Sequence, residues 1–320
     1  MTGAQLLCAA AVDVLMGDPR WLPHPVRVMG AAIQWCDERA RNWRHRPQRL
    51  RIAGTMLAIG LPACAYAIGQ LALLGAAGLA PWAHTVVTVV LASTVLAGRD
   101  LWDHARGVFV PLASGALPAA RQAVGMIVGR DTADLSESEV ARAAVETIAE
   151  STADGVIAPL FYLAIGGPAL GLAYKAVNTL DSMIGHRDGH YGEFGWASAR
   201  LDDVANWVPA RLTAGLLLCG AGLLRRRINP VRAGWRVLRR DGSQHPSPNS
   251  GRPEAAMAGL LGIRLGGRNT YDGVAQDRPV LGAEGRSAVP TDINQALAVM
   301  VAASTLGLGA AVWWRWGWGW

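Results

Sequence analysis

Charge is scarce in this chain. Of its 320 residues only 17% are Asp, Glu, Lys or Arg, against roughly a quarter in an ordinary soluble domain. Between Ile52 and Gly98 there is none at all. Lysine is almost missing, with Lys175 standing alone beside 29 arginines, and three phenylalanines contrast with 13 tryptophans. The four cysteines (Cys8, Cys36, Cys64, Cys219) form no C-x-x-C pair, which argues against a zinc cluster or a disulfide framework and fits a reducing compartment. There is no G-x-x-x-x-G-K-[ST] loop and no fixed-period repeat, and no basic stretch precedes the apolar N-terminus as a signal peptide requires. What is present is hydrophobic: 51% of residues and a mean hydropathy of +0.21, which exclude intrinsic disorder. A pI near 9.6 alone would suggest nucleic acid, but the net charge is only +6 and its placement decides the matter.

The uncharged run 52–98 is more than twice the roughly 20 residues a spanning helix needs. It divides at Gly75–Pro81 into spans near 53–74 and 83–98. Further apolar windows lie near 4–16, 155–174, 204–224 and 293–314, so the fold class expected is all-α: a single polytopic integral membrane domain over 1–320 with five or six membrane segments. Residues 17–52 carry eight arginines, 75–82 none, 99–154 five, 175–203 three basic residues and 225–294 twelve. That alternation fits the positive-inside rule with the large basic loops cytoplasmic, and WWRWGWGW at the C-terminus suits an interfacial anchor. The arginine clusters then face lipid headgroups, and no nucleic-acid partner is expected.

Polar groups gather at span ends and in the loops 17–27, 136–154, 175–211 and 241–273. In GDPRWLPHPVR three prolines stiffen the backbone, and Asp18, Arg20, His24 and Arg27 project from it toward an anionic ligand. Ser136 and Glu139 form a capping box that starts a helix. Along it Glu146, Glu150 and Asp154 follow i, i+4, i+8 on one face, with Arg142 the only base near them. Oxygen-only ligands of this kind favour Mg²⁺ over zinc. Lys175, Asn178 and Asp181 share another face at an apolar span's end, where a compact ammonium suits a phosphate or proton transfer. Asp202, Asp203 and Arg211 follow at the next span entrance. Pro253 and Glu254 signal a helix start preceded by Ser247, Asn249, Ser250 and Gly251, a ready anion site, with the candidate His245 just upstream.

Five stretches, GDPRWLPHPVRVMG, ARAAVETIAESTADGVIAPLFY, YKAVNTLDSMIGHR, YGEFGWASARLDDVANWVPARL and DGSQHPSPNSGRPEAAMAGLLGIRLGG, together resemble the adenosylcobinamide-phosphate synthase (CobD/CbiB) family of cobalamin biosynthesis. The resemblance implies a multi-pass enzyme of the inner (cytoplasmic) membrane with a cytoplasmic active site. Such an enzyme joins a carboxylate of adenosylcobyric acid, a corrinoid, to the amine of (R)-1-amino-2-propanol O-phosphate or ethanolamine phosphate, consuming ATP with Mg²⁺. On residue chemistry, Glu146, Glu150 and Asp154 would hold the metal, Lys175 or Arg211 a phosphate, and Asp181, His24 or His245 would take the ammonium proton. Membrane lipids and other late cobalamin-pathway membrane enzymes are the further partners expected. Simple span counting leaves 175–203 on the far side from ATP. A re-entrant hairpin at Gly166-Gly167-Pro168 would return it, with arms of about ten residues too short to cross. The competing reading is a transporter for an anionic substrate, its acids and Lys175 lining the path.

Overall fold

The computed structural model describes residues 1–18, 24–43, 45–185, 191–225 and 228–317. In chain order the helices are α1 (Gly3–Met16), α2 (Pro25–Ala40), α3 (Pro47–Leu79), α4 (Pro81–Ser93), α5 (Gly98–Ala113), α6 (Leu117–Gly125) and α7 (Glu137–Thr152). A π-helical turn (Ala153–Ile157) leads into α8 (Ala158–Ile184), followed by α9 (Tyr191–Phe194), α10 (Trp196–Ala205), α11 (Trp207–Arg225), α12 (Ile228–Asp241) and α13 (Gly251–Leu261). A two-stranded antiparallel hairpin, β1 (Leu265–Tyr271) and β2 (Val274–Leu281), precedes α14 (Pro290–Gly317). Apart from that hairpin the regular structure is all helical, as expected. Five helical stretches are long and apolar enough to cross a membrane: Pro47–Leu79, Pro81–Ala113, Glu137–Ile184, Trp207–Leu224 and Pro290–Gly317.

The expected first span falls short. Helix α1 has 14 residues, about 21 Å at 1.5 Å each against a hydrocarbon core of about 30 Å. Gly17 stops it by taking a positive φ of 58° and returning its N–H to Asp13 O at 2.8 Å. Helix α3 is longer than expected, running through Gly75 and Gly78 until Pro81 forces Ala80 into extended backbone.

The chain forms two compact units, each assembled from separate stretches of sequence. The first comprises Met1–Ala97, Ala158–Asn206 and Leu308–Trp320. Here α3 is inverted relative to a soluble helix. Beyond Leu50 at its start its buried residues are small (Gly54, Ala58, Pro62, Ala65, Gly69, Ala76), while Ile52, Met56, Ile59, Ile68, Leu71 and Leu74 point outward. Lipid is as apolar as leucine, so helices associate by close backbone approach over small residues. A Cβ on Gly54 would lie 1.8 Å from Phe194 O, and one on Gly69 would lie 3.0 Å from Ala169 Cα.

Helix α8 is not straight. The Tyr162 and Tyr174 rings stack with centroids 4.8 Å apart and planes 14° apart, although twelve residues of straight helix would separate them by about 18 Å. The chain doubles back at Gly167, whose φ of 69° and ψ of −164° lie in a region open essentially to glycine. A turn was expected at Gly166-Gly167-Pro168 and the chain reverses there, but the first arm runs on from α7 through the π-helical turn and is longer than the ten residues expected. The arms pack so closely that a Cβ on Gly171 would sit 2.9 Å from Leu163 Cδ2. Breaking the helix strands the carbonyl of Leu163, and Arg315 of α14 donates to it at 2.7 Å. The second arm continues to Ile184, longer than the ten residues expected, because no breaker intervenes before Gly185.

The second unit comprises Gly98–Ile157 and Trp207–Gly307. Its core gathers Val140, Ala144 and Ile148 of α7 with Leu217, Met257 and Leu297. Helices α12 and α13 cross at glycines, where a Cβ on Gly259 would lie 2.7 Å from Gly234 Cα.

Candidate functional site

In the second unit the acidic face of α7 meets the loop 242–250, the start of α13 and the β hairpin. The capping box that starts α7 is present, with Ser136 accepting from the Glu139 N–H and Glu139 Oε2 accepting from the Ser136 N–H. Within its last turn, Glu150 Oε1 accepts from Ser250 Oγ at 2.7 Å. Ser250 precedes α13 in helical backbone and makes no side-chain cap, so its hydroxyl serves Glu150 rather than its own helix. The loop is held by its own hydroxyls: Ser247 Oγ accepts from the N–H groups of Asn249 (3.3 Å) and Ser250 (3.2 Å), while His245 Nδ1 accepts from the Ser247 N–H at 3.0 Å.

The cluster also holds a buried imidazole and a buried carboxyl. His245 Nε2 is enclosed and unpaired. Burial pushes its imidazole below the ordinary histidine value, partly opposed by the nearby Glu150. The Glu254 side chain, only 5% exposed, feels Glu150, Glu146, Arg278 and Arg130 electrostatically. Burial first, then the two glutamates, holds its carboxyl well above the usual range. Both displacements favour the neutral form of the group, the imidazole of His245 and the carboxyl of Glu254.

Glu146 corrects the expectation of an acid without a base. Arg130 ion-pairs with it, Arg142 lies 3.5 Å away one helical turn earlier, and the Gly266 N–H donates to Oε1 at 2.7 Å. The same arginines bind the hairpin. Arg142 donates to Gly266 O, to Arg268 O and to Asn269 Oδ1, and Arg130 also reaches Asn269 Oδ1. Gly266 supplies its N–H from a bulge at φ 76°, where a Cβ would lie 2.1 Å from Pro279 O. Among the described residues no three His, Cys, Asp or Glu side chains are grouped to hold a metal ion. The donor set therefore does not fit the Mg²⁺ triad of Glu146, Glu150 and Asp154, because arginine already neutralises Glu146.

Arg211, on α11 of the same unit, lies over the Trp207 ring at 4.1 Å and donates to Trp207 O. It is close enough to Arg252 for the two charges to repel. Arg252 was not among the expected site residues, and its buried Nε has no partner among the described residues. Arg130 and Asn269 were also unforeseen, and Ser250, expected at an anion site, was not expected to reach Glu150. Their contacts cross 16, 100 and more than 120 residues of sequence, separations that carry no periodic signal. Asn249 is buried beside them.

The first unit holds its own polar groups. His24 caps α2 through Nδ1, and its Nε2 lies 3.1 Å from Asp18 Oδ1. Arg27 sits in the first turn of α2, and Arg20 lies outside the described residues. Lys175, Asn178 and Asp181 are half-buried on the second arm of α8. Asn206 accepts from Tyr174 Oη and donates to Asp202 Oδ1, both at 2.9 Å, and Tyr162 Oη donates to Ala205 O at 2.9 Å. Asp203 pairs with Arg200 at 2.8 Å. These contacts tie the hairpin arms to α10.

The family model described as CobD/Cbib protein matches residues 6–300. The chain is 50% identical over 280 residues to the cobalamin biosynthesis protein CobD of Geobacter metallireducens, covering 88% of this chain and 86% of that protein. It is 44% identical over 303 residues to CobD of Klebsiella pneumoniae, covering 94% of each. It is also 44% identical over 303 residues to CbiB of Salmonella arizonae, covering 94% and 93%. No solved structure matches the chain. The chain belongs to the CobD/CbiB family.

Proposed function

We propose that this chain catalyses the amide-forming step of cobalamin biosynthesis, joining a carboxylate of adenosylcobyric acid to the amine of (R)-1-amino-2-propanol O-phosphate or ethanolamine phosphate. A carboxylate and an ammonium do not condense unaided in water. In the reading adopted here, ATP phosphorylates the carboxylate, giving an acyl phosphate and ADP. The amine nitrogen then attacks the acyl carbon, phosphate leaves with the C–O electron pair, and a base takes the nitrogen's proton. ATP and its magnesium are co-reactants of this proposal, and no step is assigned to a protein-held metal.

The observation that carries the proposal is the buried cluster of Glu150, His245 and Glu254. A base for an ammonium must itself be neutral at working pH, and burial keeps His245 so. Its unpaired Nε2 is the atom to receive the proton. Arg252 and Arg211 are adjacent cations able to take a phosphate. Lys175 and Asp181 remain proposed participants from the first unit. The enzyme is proposed to work in the cytoplasmic membrane with the site on the cytoplasmic side.

Purified protein in lipid nanodiscs, given adenosylcobyric acid, ATP and each amine in turn, should yield the amide by mass spectrometry. Glu150→Gln should fold, since Gln still accepts from Ser250, yet lose at least about 100-fold in turnover. Full activity in that variant removes Glu150 from the chemistry. A broken helix is also a transporter device, so the break at Gly167 is the feature that favours transport. Proteoliposome uptake of the corrinoid without amide product would decide for that reading.

A further inference from the structure

The first unit carries an apolar groove of about 570 Å³ between α2 and α3, lined among others by Ala32, Trp35, Cys36, Met56, Gly60 and Cys64. None of its functional polar groups opens into it. The α3 wall belongs to a helix long and apolar enough to span a membrane, and Met56 on that wall is 70% exposed. One cation is built onto the groove's edge. The Arg39 guanidinium lies 3.5 Å from the centroid of the Trp35 ring and donates to Trp35 O at 3.4 Å. No carboxylate pairs with it among the described residues, in contrast to Arg41, which Asp37 takes at 3.0 Å.

Helices α2 and α3 are joined by only the short stretch 41–46, so the groove's Trp35–Met56 end lies toward the basic connection and its Ala31–Cys64 end lies deeper. The connection and its flanks hold six arginines within residues 39–51. A long aliphatic chain fits the deep end and a phosphate fits Arg39. We propose that this groove binds an anionic phospholipid of the membrane, one acyl chain between α2 and α3 and the headgroup phosphate on Arg39. An acyl chain gains little on leaving bilayer for groove, since both are apolar. Selectivity must therefore come from the headgroup, where one arginine near an anionic surface is worth about a fivefold preference.

The test is lipid exchange on the full-length protein in detergent. Equimolar phosphatidylglycerol and phosphatidylcholine compete, and native mass spectrometry reads the lipid retained. Wild type should keep phosphatidylglycerol about fivefold over phosphatidylcholine. Arg39→Gln should equalise the two, and Arg39→Lys should restore part of the preference. Gly60→Leu should retain neither, because a Cβ at Gly60 meets nothing within 4 Å and the added chain fills the groove without a clash. Equal retention of both lipids by wild type overturns the proposal, as does unchanged phosphatidylglycerol retention in Gly60→Leu. Displacement of the lipid by adenosylcobyric acid would identify a corrinoid groove instead and also overturns it. If a variant fails to fold, the wild-type competition alone decides. None of these readouts depends on amide formation.

Discussion

Glu254 and His245 are displaced in opposite senses, and the signs give each a pH signature. The Glu254 carboxyl sits well above its usual range through burial and the neighbouring glutamates, so the folded protein holds that proton more tightly than the unfolded chain. The resulting stability is complete below the ordinary carboxyl range and is lost as pH rises through the raised folded value. The lowered His245 acts the other way: its contribution is complete above the ordinary histidine value and is lost as pH falls through the lowered one. Glu254→Gln keeps the shape and removes the first dependence only. Detergent melting curves from pH 5 to 9 should show wild type losing ground steadily to Glu254→Gln as pH rises. Each 1 kcal/mol moves the midpoint by roughly 2 °C in a chain of this size. Parallel curves for the two proteins would mean that Glu254 is ionised throughout. His245→Gln, which lacks the proposed base, should lower amide formation at every pH by at least about 100-fold and abolish the acidic limb in the activity that remains.

At the scale of elements, one helix was legible almost in full and one hairpin not at all. Ser136 and Glu139 announced the start of α7, and the i, i+4 acids fixed which face they share. Gly166-Gly167-Pro168 announced the break in α8, because only glycine tolerates the backbone found there. The β hairpin was hidden in a Gly-rich stretch. Its strands bury little and alternate weakly, and they are held by Arg142 of α7 and by Arg130 of the loop before it rather than by a hydrophobic face. The metal triad was misread for the same reason, since spacing along one helix cannot reveal a base arriving from residue 130. This yields a sharp expectation. The Arg130 side chain is 6% exposed and that of Glu146 13%. Arg130→Gln leaves that nearly buried carboxylate only the more distant Arg142 and the Gly266 N–H, and should cost about 1–3 kcal/mol. It should also loosen β1–β2, read as faster proteolysis near Asp272. Adding Glu146→Gln should recover more than half of that loss, because the stranded charge is gone. A strictly additive double variant would mean that the two side chains are not energetically coupled.

For the whole molecule, the hairpin in α8 decides the side on which the polar segment 191–206 emerges. A continuous α8 crossing a bilayer would carry Lys175 and the segment after it to the far side from the start of α8. A chain that turns at Gly167 and brings Tyr174 back against Tyr162 returns Lys175 to the side from which α8 entered. The returned arm then leads into α10, whose Asp202 and Asn206 are tied to Tyr174. Ser198 is fully buried and cannot report on this, but Arg200 is exposed, pairing only with its neighbour Asp203 on the same helix turn. Arg200→Cys, in a background with Cys8, Cys36, Cys64 and Cys219 replaced, should react with a membrane-impermeant maleimide only when the cytoplasmic face is open. A second cysteine at Glu137, at the start of the same continuous stretch, should label from the same side. Opposite labelling of the two positions would mean that α8 crosses the membrane and that its broken helix serves some purpose other than re-entry. Gly167→Leu supplies the internal control. Forcing a side chain into that backbone should straighten or unfold α8, so Arg200→Cys labelling should switch sides or vanish while Glu137→Cys labelling stays.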